Sequence, residues 1–205
     1  FKYIPCNSYS EEIALVKSGK AQAISTFAND YQWADKHNVR VTNPFMTLQM
    51  SMIVNDHVPD ALNKQNRVGV LCDNYITDKI SKGKEYNKIS YYKDPNTLIN
   101  DVNNRKVDVG FLPNYAANYY LGKSYYASVK VRSNSHYNYG VGLAVSKDSD
   151  TLLYTILNKG LDKIPNEQLT FILNENLLNS QDKPSFALYF LKYPYLFIGL
   201  LALIF

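Results

Sequence analysis

Few side chains in this sequence have the types and spacing for covalent chemistry. His37, His57 and His136 lie far apart and fit no metal-site spacing. Cys6 and Cys72 match no metal motif, and two cysteines are too few for a disulfide scaffold. They are read as buried free thiols, since a bridge between them would join two separate βα units. Gly140-Val141-Gly142 lies inside a strand pattern, not in a phosphate-binding loop. No Ser-His-Asp arrangement can be argued. The region therefore reads as non-enzymatic, with no metal and no cofactor. Non-covalent recognition is the chemistry left, and its best stretch is Ser18–Thr47, "SGKAQAISTFANDYQWADKHNVRVTNPFMT". A basic turn leads into an apolar strand, a polar aromatic loop follows, and a second apolar strand ends in Asn-Pro-Phe. Chains that grip small polar molecules often have this plan, with the grip built from the loop.

The 205 residues suffice for one large domain or two small lobes with real cores. A net charge of +4 with scattered Lys and Arg gives no stripe for nucleic acid. The sequence opens on the strand-like run "FKYIP" and reads as part of something longer. Its end differs from the rest. From Phe186 it runs "FALYFLKYPYLFIGLLALIF", uncharged after Lys192. A spanning helix needs about 20 apolar residues. Lys192 can snorkel, and Tyr189, Tyr193 and Tyr195 suit an interfacial belt. Residues 186–205 are read as a truncated transmembrane segment, the alternative being a buried C-terminal helix.

Between these ends, strands and helices alternate. "SYSEEIALVKSG" reads as a helix with Ser8 and Glu11 at capping-box spacing and Gly19 at its end. "AQAIST", "VRVTNPF", "LQMSMIVND", "RVGVLC", "KISYYKD", "VDVGFLP", "SVKVRS" and "YGVGLAVSK" are extended. Asp73 or Asn74 caps "YITDKISKG", and Asp94 with Pro95 starts "NTLINDVNN". The helix "DTLLYTILNKGLDKI" is expected to bury Leu153, Ile156, Leu157 and Leu161. The alternation predicts an α/β protein with mainly parallel sheets. "EEIALVKSGKAQAIS" and "NTLINDVNNRKVDVGFL" share one plan of helix, basic turn and buried strand, a weak echo that suggests two similar lobes.

The order of "SGKAQAIS", "VRVTNPF", "RVGVLCDNY", "NNRKVDVGFLPNYAANYYL" and "YGVGLAVSKDSDTLLYTILNKGLDKI" resembles the type II periplasmic solute-binding fold, in its amino-acid-binding-like branch. The resemblance covers roughly residues 1–178. It implies a two-lobed α/β fold lacking its first βα unit. Lobe one is residues 1–53 and 141–178, lobe two 54–140, with crossover strands near Ser51–Asn55 and Tyr139–Val145. Residues 179–185 form a juxtamembrane joint. A ligand is expected between the lobes, at the C-terminal ends of the strands.

Amino-acid binders of that family place an Arg after the first polar loop to clamp the ligand carboxylate. Here the position falls at Gln32 or Trp33. The Asp that holds the ligand ammonium falls near Pro113, and the usual Gly-Thr anion turn is Asp73-Asn74-Tyr75. All three charge contacts are missing. The cleft candidates implied by the resemblance are Ser25, Thr26, Phe27, Asn29, Trp33, Asp73, Asn74, Tyr75, Pro113, Asn114 and Tyr115. Aromatic and neutral polar groups suit a small neutral or weakly cationic ligand, while a degenerate cleft that binds nothing fits equally. Joined to an apolar tail, the domain reads as the extracytoplasmic sensor of a bacterial membrane receptor of the histidine kinase or cyclic-di-GMP enzyme type. Such a receptor would be anchored in the cell membrane, with homodimerisation through the receptor. The alternative is a membrane-tethered binding subunit of an ABC-type transporter.

Overall fold

The computed structural model describes residues 2–6, 8–59, 62–123, 126, 128–132, 136–165, 167–172, 175 and 195. The segment read as a membrane helix lies outside them except for Tyr195. Among the described residues no helix is long and apolar enough to cross a membrane. The chain divides into two compact units. Unit one is Phe1–Met50, Cys72–Glu85 and Ser135–Phe171, and unit two is Ser51–Leu71, Tyr86–Asn134 and Ile172–Phe205.

Unit one is built on one long strand. β1 (Ile24–Ala28), β2 (Val39–Val41) and the first half of β3 (Met46–Asn55) all pair antiparallel with β8 (Asn138–Ser146). β1 takes one edge of β8, with Phe27 opposite Gly142. β3 and then β2 take the other, with Leu48 opposite Tyr139 and Arg40 opposite Val145. The three early strands thus point one way, as βα alternation predicts, but β8 runs against them. A parallel sheet here is corrected by a strand that returns from far along the chain. The sequence places the second crossover in Tyr139–Val145, whereas all of β8 lies in unit one. Gly142 is required where it stands, because a Cβ there would lie 2.8 Å from the Thr42 carbonyl oxygen.

Helix starts follow local chemistry. Ser8 accepts from the Glu11 amide and caps α1 (Tyr9–Lys17). Asp30 caps α2 (Tyr31–Lys36), and Asn74 rather than Asp73 caps α3 (Tyr75–Gly83). Ile13, Val16, Ile24, Phe27, Trp33 and Val39 form much of the core of unit one. The last helix, α6 (Thr151–Leu161), departs from expectation. Among its described residues none is buried, and Ile156 is 59% exposed. The two cysteines are free, as read, but half-buried rather than buried.

Unit two is a sheet in the order β7–β3–β6–β4–β5, using the second half of β3 with β4 (Arg67–Leu71), β5 (Lys88–Tyr92), β6 (Val109–Pro113) and β7 (Val129–Arg132). β4 runs parallel to both β5 and β6. α4 (Pro95–Asn103) starts on Asp94 with Pro95 in its first turn, as the sequence predicts, and α5 (Asn114–Lys123) follows β6 directly. Leu98 of α4 is fully buried and fits the hollows over Gly69 and Gly110. A Cβ at Gly69 would stand 2.3 Å from Leu98 Cδ1, so helix and sheet meet flush only because β4 carries glycine there. Leu98→Ala is expected to destabilise the protein by about 2–5 kcal/mol in urea titrations. Gly69→Ala alone is expected to cost about 1–3 kcal/mol through overpacking. In the Leu98→Ala background the added methyl enters vacated space, so the pair should be less destabilised than the two single losses summed.

Candidate functional site

The candidate site in unit one grows out of one turn. β1 ends at Ala28, and the Asn29 amide side chain donates to the Thr42 carbonyl at 2.6 Å, which fixes the exit of the strand. Asp30 then stands at the N-terminus of α2. Its Oδ1 accepts from the Trp33 backbone N–H at 2.8 Å, and its Oδ2 accepts from the Tyr75 hydroxyl at 2.9 Å and from Lys79 Nζ at 3.3 Å. Partial desolvation pushes the carboxyl upward. The backbone N–H, the tyrosine and the lysine outweigh it and hold Asp30 below its ordinary value of 3.8.

With α2 started there, Trp33 turns into the core and is 6% exposed. Its indole N–H donates to the Tyr9 hydroxyl at 2.9 Å. Rings then run in sequence. Phe27 lies 5.4 Å from Tyr9, Trp33 lies 5.8 Å from Tyr75, and Tyr75 lies 5.1 Å from Tyr139. Such offset and tilted pairs add to their burial. His37 packs edge-on against Trp33 at 4.3 Å, and burial followed by Lys36 and Lys17 lowers its basicity, so it serves as a neutral ring.

A cavity of about 130 Å³ opens among Tyr9, Phe27, Leu48, Asn74, Tyr75 and Tyr139, with Thr26, Ala28 and Val141 completing the wall. These side chains carry no formal charge. Burial pushes the Tyr139 hydroxyl up to about 12, with Tyr75 adding to it. Burial also raises Tyr9 well above a free tyrosine, against the opposing indole N–H. Tyr75 is raised by burial first and by Asp30 next. The wall therefore offers neutral hydroxyls and ring faces at any ordinary pH. Asp30 sits one hydrogen bond behind Tyr75.

Of the eleven residues singled out in the sequence, Thr26, Phe27, Asn74 and Tyr75 line this cavity. Trp33 stands behind it, holding Tyr9. Asn29 has a backbone partner instead. Ser25 opens onto a second cavity, on another part of unit one. Asp73, at φ +54, accepts from the Ser10 hydroxyl at 3.3 Å. Pro113, Asn114 and Tyr115 lie in unit two, where Asn114 accepts from Ser51 at 3.0 Å. Four residues that shape the site escaped the sequence reading: Tyr9, Asp30, Leu48 and Tyr139. Asp30 had a signal, since it precedes a helix with its acceptor in capping position. Leu48 and Tyr139 are joined only by strand pairing, and Tyr9 reaches the site from α1 through the Trp33 indole.

Arg40, Arg67 and Arg132 are committed elsewhere, Arg67 to Asp108. Arg40 donates to the Ser149 carbonyl at 2.6 Å and to that of Lys147, and Arg132 of unit two donates to the carbonyls of Val58 and Pro59. Among the described residues no cluster of His, Cys, Asp and Glu could hold a metal ion.

No protein-family model matches the chain, and no curated protein matches it. Solved structures do. The periplasmic VFT2 domain of Bordetella pertussis BvgS superposes with a TM-score of 0.69 at 21% identity, over 81% of this chain and 72% of that one. A histidine kinase sensor domain with similarity to periplasmic binding proteins gives 0.69 at 15% identity, over 83% and 75%. The GluR0 ligand-binding core, solved with L-glutamate, gives 0.71 at 15% identity, over 88% and 81%. The chain thus has a periplasmic-binding-protein-like α/β fold.

Asp30 makes the site sensitive to acid. Its folded-state value lies below its unfolded one, so its contribution is complete above pH about 4 and is lost as pH falls through the folded value. Asp30→Asn keeps a capping oxygen and removes the charge, whereas Asp30→Ala removes both and is expected to cost about 1–2 kcal/mol through the cap alone. Chemical denaturation from pH 7 to 3 should show the order wild type, Asn, Ala at neutral pH. The gap between wild type and Asn should narrow toward the acid end.

Proposed function

We propose that this chain is the extracytoplasmic sensor domain of a membrane-anchored bacterial receptor, of the histidine kinase or cyclic-di-GMP enzyme type. In this reading a change in closure or orientation of the two lobes is passed to a transmembrane helix formed by residues 186–205. The observation that carries the reading is the fold, which the chain shares with a BvgS periplasmic domain and a histidine kinase sensor domain. The apolar tail of the sequence supports it, because a bilayer removes the cost of exposing that surface.

The ligand is a small neutral or weakly cationic molecule held in the ring-walled cavity of unit one. Four aromatic rings favour a ring face through stacking, and a weak cation at the rings other than Tyr75, over which Lys79 Nζ already stands at 5.1 Å. Tyr75, hydrogen-bonded to Asp30, presents the more electron-rich of these rings. A ligand can bias the receptor only by binding its two states with different affinity. Pro113, Asn114 and Tyr115 are proposed as further contacts.

Two measurements test this reading. Calorimetric titration should show no micromolar binding of common α-amino acids, because no arginine lines the cavity to clamp a carboxylate. Among cationic and neutral cyclic probes such as choline and cytosine, one that binds should lose about tenfold in affinity on Tyr139→Ala, a loss of the size of one ring contact. Tight amino-acid binding overturns the ligand class.

Topology is tested separately in whole cells. A single cysteine at Tyr31, which is 85% exposed, placed in a chain with Cys6 and Cys72 replaced by serine, should react with a membrane-impermeant maleimide in intact cells. The chain should fractionate with membranes, and a form ending at Lys183 should be released from them. Labelling only after lysis, or release of both forms, sinks the sensor reading.

A further inference from the structure

Two lysines stand over rings of the aromatic cluster in unit one. Lys36 Nζ lies 4.7 Å from the Trp33 ring, and Lys79 Nζ lies 5.1 Å from the Tyr75 ring. Each lysine is paired with a carboxylate brought by the other helix. Lys36 of α2 meets Asp78 of α3 at 3.0 Å, and Lys79 of α3 meets Asp30, the cap of α2, at 3.3 Å. Tyr75 and Lys79 stand four residues apart on α3, so they share one helix face. The two arrangements differ in what lies beside them. Tyr75 lines the ring-walled cavity, and its hydroxyl donates to the same Asp30 Oδ2 that accepts from Lys79. Trp33 stands behind that cavity.

A small ammonium ion is recognised by a carboxylate and an aromatic face together. Asp30 and the Tyr75 ring are such a pair, and Lys79 already fills it. Partial desolvation works against the Lys79 charge, but Tyr75 and Asp30 outweigh it and hold the ammonium above its ordinary value of 10.5. The group therefore stays charged at any ordinary pH. We propose that Lys79 is a specificity-determining residue of the ring-walled cavity: its ammonium occupies the seat made by Asp30 and Tyr75 as a tethered cation, and so selects neutral ligands over cationic ones. The inference rests on the proposed ligand site and narrows its ligand to a neutral molecule. Three effects act in one direction. Lys79 repels a second positive charge, offsets the carboxylate that would attract one, and already draws on the Tyr75 ring. A neutral ring meets none of the three and can still stack. The Lys79 side chain is 42% exposed, so water screens it and the selection amounts to a factor of about five rather than hundreds.

Calorimetric titration at one fixed ionic strength tests this, with choline as the cationic probe and cytosine as the neutral one. Lys79→Met keeps most of the stem and removes the charge. It should bind choline about fivefold more tightly than the wild type does, with cytosine changed by less than about twofold. Lys79→Arg keeps a cation and should behave as the wild type. Lys36→Met removes the same charge from the ring behind the cavity and should leave choline binding unchanged, which separates a local seat from net charge. Both lysine side chains are exposed, so these variants keep the fold. Choline bound by the wild type more tightly than cytosine overturns the proposal. So does an equal gain for choline in Lys36→Met. Cytosine binding with no gain for choline in Lys79→Met also overturns it, and leaves the cavity standing as the ligand site. Binding of neither probe by any of the four proteins overturns the ligand site and the proposal together.

Discussion

A single carboxylate sets the geometry of unit one. Asp30 ends the loop after β1 and meets three donors from two helices. Its bond to the Trp33 amide starts α2, which sends the indole inward, and the indole fixes the Tyr9 hydroxyl. Its second oxygen fixes Tyr75. Two of the rings that line the cavity, Tyr9 and Tyr75, therefore take their positions from the two oxygens of one residue. Lys79 contributes least to this arrangement, since its side chain is 42% exposed and an ion pair in water is weak. The amide and the phenol are better shielded, and hydrogen bonds to a charged acceptor are the stronger kind.

The local parts of this fold were legible. Ser8, Asn74 and Asp94 announce helix starts because capping is decided within four residues of sequence. Strands such as Val109–Pro113 announce themselves by apolar runs between turns. The cavity was half legible. Thr26, Phe27, Asn74 and Tyr75 could be placed because each ends a strand or opens a helix, where ligand contacts gather in open α/β sheets. Leu48 and Tyr139 could not, because they meet only through the β3–β8 register, which no local pattern encodes. Tyr9 looked like one more member of a helix face.

α6 shows a different limit. Its periodicity correctly marks which face is apolar, but periodicity says nothing about whether a partner covers that face. Leu153 and Leu157 line the second cavity of unit one and Ile156 is in water, although all three fit the pattern of a buried stripe. The same holds for β1, which among the described residues pairs along one edge only. A strand's sequence shows that it can pair, and only the assembled sheet shows how many of its edges are used.

The start of α3 is poorly suited to an incoming carboxylate. A helix N-terminus attracts anions when its first amides are free and no negative charge stands nearby. Here Asn74 already occupies the Thr77 amide at 2.8 Å, and Asp73 places its own carboxylate beside the same turn. Asp73 also takes a left-handed backbone, φ +54, in which aspartate is tolerated better than most side chains. An incoming carboxylate would meet a used donor and a like charge, with no arginine in the wall to offset them. A neutral ring meets neither penalty, while a cation meets Lys79, whose Nζ stands 5.1 Å from the Tyr75 ring and 3.3 Å from Asp30 Oδ2. The ring finds Tyr75 and Tyr139, whose hydroxyls burial keeps protonated, with Asp30 already shared between Tyr75 and Lys79. The same helix end thus disfavours an anion, through Asn74 and Asp73, and sets the ring of Tyr75 in the cavity wall.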